Sequence, residues 1–241
     1  MAKWQDRTAL MLGKEGLEKL AKAHVLVIGL GGVGAYAAEQ LCRAGIGQLT
    51  IVDGDVVEET NRNRQLPALA SNEGESKAKI LGKRFLDINP DLKIKVINEY
   101  LKDERMVEIL NESAYDYVVD AIDTLTPKVF LISHSLQLKL PIVSSMGAGG
   151  KFDPSQVQSC DISKSYNCRL AKMIRKRLHK LGIREGIKVV FSPEEVDPIR
   201  VRIEESRNKK SAVGTISYMP PVFGCYCASV VIQDLLRKTI D

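Results

Sequence analysis

His24-Val-Leu-Val-Ile-Gly-Leu-Gly-Gly-Val-Gly34 is the stretch on which the fold turns. A short apolar run that ends in glycines and is followed by helix formers from Ala35 to Ala44 reads as strand, tight turn and helix. Gly29, Gly31 and Gly34, with Gly32 beside them, have the spacing of a dinucleotide fingerprint. Such a turn needs positive backbone dihedrals, and it lets phosphates approach main-chain amides at a helix N-terminus. Asp53 ends the next apolar run, Gln48-Leu-Thr-Ile-Val-Asp53, where a carboxylate at the tip of the second strand accepts hydrogen bonds from a ribose. Glycines that only shape the turn are the plain alternative, and the fingerprint by itself does not choose the nucleotide.

Working outward, residues 5–22 read as an amphipathic helix with Leu10, Leu17 and Leu20 on one side. Strand patterns at 93–98, Tyr117-Val-Val-Asp120 and Pro141-Ile-Val-Ser144 alternate with helical stretches at about 74–88, 103–112 and 124–139. This alternation predicts an α/β, Rossmann-like, doubly wound and mostly parallel sheet with right-handed crossovers. After Gly147-Ala-Gly-Gly150 the rhythm changes to a strand near 157–162, a basic helix near 166–182, a strand near 187–192, a charged loop over 193–211 and a final helix at about 222–238. The expected organisation is a nucleotide-binding core with its N-terminal helix over 1–150 and a substrate-facing segment over 151–241, packed on the same domain.

The composition, 44% apolar and 27% charged over 241 residues, is that of an ordinary globular protein and excludes a disordered or multispanning chain. A net charge of +5 is too small to argue for a nucleic-acid partner. Its distribution says more. Lys164, Arg169, Lys172, Arg175, Lys176, Arg177, Lys180 and Arg184 follow one another between Asp161 and Glu185 with no acid among them. That block faces phosphates, or it is the solvated side of an amphipathic helix whose apolar side is Ile174, Leu178 and Leu181. Five irregularly spaced cysteines and an N-terminus without an apolar signal segment point to the cytoplasm. The uncharged run 214–232 contains Pro220, Pro221 and Gly224, so it is expected to be buried interior and not a stable membrane span. A longer hydrophobic tail on the natural chain would add peripheral membrane association.

Beyond Asp53 the chain carries Asp55, then Asn61-Arg62-Asn63-Arg64-Gln65, Lys77, and Asp120-Ala-Ile-Asp123. Attack of a carboxylate on an α-phosphate loads negative charge onto phosphoryl oxygens. A site for it needs fixed cations and a carboxylate for a metal, with little covalent chemistry from the protein. Arg64, Lys77 and Asp123 are the residues that could supply them. Singly, the arginine and lysine could be surface charges, the asparagines turn residues, and Asp120 or Asp123 a helix cap. Together they stand on loops at the carboxyl ends of successive parallel strands, the crevice where such folds bind ligands.

In these motifs the sequence resembles the adenylating enzymes related to ubiquitin-activating enzyme, which include the activators of molybdopterin and thiamine sulfur carriers. Gly-x-Gly-Gly-x-Gly, Asp53-x-Asp55, Asn61-x-Asn-Arg-Gln65, Lys77 and Asp120-x-x-Asp123 stand in the family's order. The resemblance implies ATP with Mg²⁺. Asp53 would hold the ribose, Asn61, Arg64 and Lys77 the phosphates, and Asp123 the metal. It also implies a homodimer in which Arg7, from Arg7-Thr-Ala-Leu-Met-Leu-Gly13, completes the partner's ATP site in trans. Within the superfamily the segments at 7–13, 60–65, 120–123, 147–154 and 161–164 are similar to the branch that closes threonylcarbamoyladenosine of tRNA into a ring with loss of water. That branch needs no catalytic thiol, because the nucleophile is internal to the substrate. The chain has no Cys-x-x-Cys, so the four-thiolate zinc site of sulfur-carrier activators is not expected. A structural monovalent cation and a cysteine-desulfurase relay partner are left open. The alternatives are an adenylyltransferase for a sulfur-carrier protein and an NAD-dependent oxidoreductase, the latter weakened by the lack of any Tyr-x-x-x-Lys pair. A scaffold with a regulatory nucleotide site completes the set.

Overall fold

In a computed structural model, which describes residues 3–202 and 212–237, seven strands of the described residues form one sheet in the order β3-β2-β1-β4-β5-β7-β6. They are β1 (His24–Ile28), β2 (Gln48–Val52), β3 (Lys93–Ile97), β4 (Tyr117–Asp120), β5 (Ile142–Ser145), β6 (Gln158–Asp161) and β7 (Lys188–Phe191). The central strands are near-continuous apolar runs because helices cover both faces of a parallel sheet. In β1, Val25 and Val27 pack into one core while Leu26 and Ile28 pack into the other, as the two-residue period of a strand requires. One face carries α1 (Asp6–Lys22), α2 (Gly34–Ala44), α3 (Lys77–Ile88) and α7 (Met219–Arg237); the other carries α4 (Asp103–Asn111), α5 (Leu125–Gln137) and α6 (Arg169–Lys180).

The doubly wound expectation holds with one exception. β6 runs antiparallel to β7, with Gln158 opposite Phe191, so the sheet ends on an antiparallel edge. Two of the strands beyond residue 150 extend the same sheet as those before it, β7 lying parallel to β5, while Val201–Arg202 and Ala212–Val213 pair antiparallel apart from it. The uncharged run 214–232 is core only from Met219 onward: Gly214, Ile216, Ser217 and Tyr218 ahead of the last helix are exposed, and so is Cys225 within it. α7 packs along α2, and a Cβ at Gly224 would lie 2.4 Å from the Val33 carbonyl oxygen, so glycine there lets two helix backbones approach closely. α7 is long and apolar enough by length and composition to cross a membrane, but half of that window is buried in the protein. It begins at Met219, three residues ahead of the expected start, with Pro220 and Pro221 in its first turn, where missing amide hydrogens cost nothing. The part of the charged loop over residues 203–211 lies outside the described residues.

Two apolar assignments are overturned. Gly13 has φ 70° and kinks α1, which turns Leu10 outward to 89% exposure while Leu17 and Leu20 stay buried. Leu181 lies past the end of α6 and is exposed, so Ala171, Ile174 and Leu178 form that helix's buried side.

Candidate active site

β1 is flanked by β2 on one side and β4 on the other, the point where strand order reverses in an open parallel sheet. Three loops leave the carboxyl ends of these strands side by side. Their first amides carry the ladder on: Gly29 N donates to Val52 O at 2.9 Å, Ala121 N to Ile28 O at 2.9 Å and Asp53 N to Ile97 O at 3.1 Å.

The glycines of the first loop do separate jobs. Gly29 has φ 90°, a left-handed value that other residues adopt only with strain. A Cβ on Gly34 would sit 1.7 Å from the Gly29 carbonyl oxygen, so only glycine lets α2 start against the strand end. A Cβ on Gly32 would meet Pro220 at 2.9 Å. At Gly31 the nearest atom to such a Cβ is Gln65 Nε2 at 3.8 Å. Of the loop's four glycines, Gly31 is therefore the one whose Cβ position is not crowded.

Asp53 ties the first two loops together. One carboxylate oxygen accepts the Leu30 amide at 2.6 Å and the other the Asp55 amide at 2.7 Å. Burial pushes its pKa above the ordinary carboxylate value, although both amides and the Lys77 ammonium pull the other way. Asp55 receives the Tyr100 hydroxyl at 2.5 Å and pairs with Lys77 Nζ at 3.2 Å. That hydrogen bond, with burial assisting, pushes the Tyr100 phenol up to about 12. Lys77 is 4% exposed at the start of α3, so its ammonium is held inside the site and not on the surface.

Between Asp55 and Lys77 the chain makes an excursion closed at its base by a Val56–Ser76 bridge. It carries a helical turn in which Arg64 and Gln65 amides both donate to the Asn61 carbonyl. Asn61 is buried, and its side-chain oxygen accepts the Glu58 amide at 3.2 Å. Arg64 Nη1 donates to Thr60 O at 2.8 Å and to Asn63 Oδ1 at 2.6 Å. Partial burial loosens the Arg64 guanidinium's hold on its proton, and the field of Asp123 acts in the opposite sense. The arginine of the second loop and the carboxylate of the third thus act on each other. Gln65 Oε1 is buried without a hydrogen-bond partner among the described residues. Left unsatisfied among the described residues, this buried acceptor close to Gly31 calls for a donor from outside the protein.

The two acids of Asp120-x-x-Asp123 divide. Asp123 is exposed on the rim. Asp120 is fully buried, pairs with Lys128 Nζ at 2.8 Å and accepts the Ser144 hydroxyl at 2.6 Å and the Ile122 amide at 3.0 Å. It braces the third loop from beneath and does not cap α5. Lys128, Ser144 and Tyr100 are the residues that sequence reasoning missed. A lone charge in the otherwise apolar face of 125–138 was a signal for Lys128, because lysines are almost never fully buried unless paired. Nothing in spacing pointed to Tyr100.

Arg7 is exposed on α1, whose helix–helix packing is against α7. Among the described residues no group of three His, Cys, Asp or Glu is arranged to hold a metal ion. The thiols are all free. Burial pushes Cys42 up to about 11 and Cys227 to about 12, and it raises Cys160 and Cys225 as well. Of the basic block, Arg175 is turned inward, donating to the Ser165 carbonyl at 2.8 Å, so it does not share the outward face expected for it.

The sequence matches the ThiF family over residues 5–241. A tRNA threonylcarbamoyladenosine dehydratase of Bacillus subtilis is 38% identical over 240 residues, 96% of this chain and 94% of that protein. The solved structure of the Escherichia coli tRNA N6-threonylcarbamoyladenosine dehydratase in complex with ATP is 34% identical and superposes with a TM-score of 0.88, covering 99% of this chain and 97% of the other. The same enzyme in complex with AMP superposes with a TM-score of 0.91 at 33% identity, covering 100% and 98%.

Proposed function

The chain belongs to the ThiF family, and from that premise we propose that it is an ATP-using enzyme that dehydrates N6-threonylcarbamoyladenosine in tRNA to its cyclic form. The observation that carries the proposal is the cradle beside Gly31. An open glycine, an unsatisfied buried Gln65 acceptor, a buried Lys77 ammonium and the Arg64 guanidinium converge at the strand-order reversal, in a chain that superposes end to end on an ATP-bound dehydratase.

ATP enters with its adenosine ribose toward Asp53 and its phosphates over the Gly29–Gly34 turn, within reach of Asn61, Arg64, Gln65 and Lys77. The threonyl carboxylate attacks the α-phosphorus. A new carboxyl oxygen–phosphorus bond forms, the bond to the bridging oxygen breaks, and pyrophosphate leaves. Arg64 and Lys77 stabilise the charge that builds on the phosphoryl oxygens, which is worth most at a site where the cations are already fixed and partly desolvated. Lys77 is free to turn from Asp55 to a phosphate because Asp55 keeps the Tyr100 hydroxyl. A nucleophile within the threonylcarbamoyl group then attacks the activated carbonyl, AMP departs with the former carboxylate oxygen, and a ring closes with net loss of water. No thiol is needed, in keeping with cysteines whose thiolates are disfavoured by burial.

Mg²⁺, when bound, neutralises charge on the phosphates. Asp123, on the rim beside Arg64, is the carboxylate that would hold it; a magnesium ion carried by a triphosphate takes one or two protein carboxylates and draws its other ligands from phosphate and water. Residues 1–150 serve ATP and 151–241 face the tRNA, in the cytoplasm where both occur. A homodimer completes the site. Leu10 at 89% and Met11 at 83% exposure stand beside Arg7 on the kinked α1, a paired apolar exposure suited to a partner subunit that would receive Arg7. Mixing inactive Arg7→Ala and Arg64→Ala chains then restores activity if Arg7 acts in trans, and does not if it acts within its own chain.

The direct test of adenylation is substrate labelled with ¹⁸O in the threonyl carboxylate. The label passes to AMP if the carboxylate attacks the α-phosphorus. AMP without label rules adenylation out. A sulfur-carrier substrate instead predicts pyrophosphate exchange that depends on a carrier protein ending in glycine and ignores tRNA.

A further inference from the structure

We propose that the outer face of α6 is a phosphate track that seats the RNA strand leading to the active site, an inference that rests on the tRNA reading above. At 100° per residue, Arg169, Lys172, Lys176 and Lys180 fall within an arc of about 80°, opposite buried Ala171, Ile174 and Leu178. All four are exposed, and among the described residues none of them enters an ion pair. Lys172 to Lys176 and Lys176 to Lys180 are like-charge i,i+4 neighbours, a spacing that destabilises a helix. A merely solvated face would relieve this with acids, as α1 does with its Lys14–Glu18 and Lys19–Glu15 pairs. The two other cations of the helix have tasks within the protein, Arg175 bonding to Ser165 and Ile162 and Arg177 reaching across to α5.

The track also has a fixed direction. Arg177 Nη1 donates to Thr126 Oγ1 at 2.8 Å, and Thr126 is the second residue of α5, three past Asp123. Leu170, at the start of α6, packs beside Gly147 in the loop that leaves the carboxyl end of β5, so the Arg169 end lies on the side of the sheet that holds the site, and the four charges run away from it over about 16 Å toward Lys180. At the site end Tyr166 is half exposed and its ring is held edge-on at 5.8 Å by Phe191, the last residue of β7, a rigid platform on which a base would stack. Cations joined to an exposed aromatic favour a single-stranded RNA over a lipid surface.

Each single-strand phosphate contact contributes about 0.7 to the slope of log affinity against log salt, so four contacts weaken binding about 50-fold between 50 and 200 mM salt. The triple variant K172Q/K176Q/K180Q is predicted to lower that slope by about 2 and to weaken binding of threonylcarbamoyladenosine-bearing tRNA by at least about tenfold at low salt. Its melting temperature is predicted to hold or rise slightly as the like-charge pairs are removed, its affinity for ATP to stay unchanged, and K172R/K176R/K180R to bind like the parent. If the glutamine variant binds the tRNA as the parent does while the parent still dehydrates it, the track is wrong and the function stands. If the parent neither binds nor dehydrates the tRNA, the function itself is wrong and the track falls with it. Loss of binding to phosphatidylserine-containing vesicles with tRNA binding intact would make α6 a membrane face and overturn the proposal.

Discussion

Replacing Lys128 by methionine probes the brace under the third loop. Lys128 and Asp120 are both 0% exposed and lie 2.8 Å apart. The ammonium also donates to the Ile122 carbonyl at 2.9 Å, directly ahead of Asp123. Methionine fills most of the space but strands the Asp120 charge, keeping only the Ser144 hydroxyl and the Ile122 amide to solvate it. Removing one partner of a fully buried pair costs about 3–5 kcal/mol. For a domain of this size each kcal/mol lowers the melting temperature by about 2–4 °C, so Lys128→Met is predicted to melt about 6–20 °C below the parent. The double variant D120N/K128M removes both charges while asparagine keeps an acceptor for the Ile122 amide, and it is predicted to recover a substantial part of the loss. Circular dichroism melts of the parent, single and double variants decide the matter. A single variant melting within about 2 °C of the parent, or a double variant no more stable than the single, refutes the idea that this pair braces the loop.

Asp123→Asn tests the other acid: activity is predicted to fall by at least about 10²-fold with no change in melting, and a lowered melting point with retained activity would reverse the assignment. Gly34→Ala must push a Cβ away from the Gly29 carbonyl, so loss of ATP binding is predicted, whereas Gly74→Ala, with φ +83° and open space, should cost only about 1–2 kcal/mol of stability; equal effects in titration and melting would discredit the packing argument. Asp161 is held below its ordinary pKa: burial alone would raise it, but the Ser163 hydroxyl and the Ser163, Gly186 and Ile187 amides outweigh burial. Its contribution to stability is therefore present above the ordinary carboxylate range and lost as pH falls through the depressed value. Asp161→Asn should be destabilised at pH 7 and should converge on the parent in acid; a gap independent of pH would contradict this. C160S/C225S is predicted to keep activity within about twofold, and a dead enzyme would restore a thiol to the mechanism.

The parts of the fold legible in the sequence were those written in long periodic segments. The apolar runs of β1, β2 and β4 and the glycines after β1 announce a parallel sheet because such strands are buried on both sides. The antiparallel turn of β6 was not legible, since a four-residue strand with a partly exposed pattern carries no sign of direction. Leu10 was misplaced because a wheel assumes a straight helix, and Gly13 breaks it. The placement of Asp53 and Lys77 near the carboxyl end of β2 was legible because their order in the chain sets them on the loop that leaves that strand. The partition between Asp120 and Asp123 was not, because it depends on Lys128 reaching across from α5, a tertiary contact that spacing does not encode. Tyr100 likewise meets Asp55 only through the close passage of residues 99 and 100 against Gly54.

The central claim is most directly tested by incubating the protein with tRNA bearing threonylcarbamoyladenosine, with and without ATP and Mg²⁺, digesting the tRNA gently and weighing its nucleosides. The account predicts a modified nucleoside lighter by one water only when ATP is present, with Arg64→Ala inactive. An unchanged nucleoside in the presence of demonstrable ATP binding would contradict it and leave an adenylation site in search of a different carboxylate.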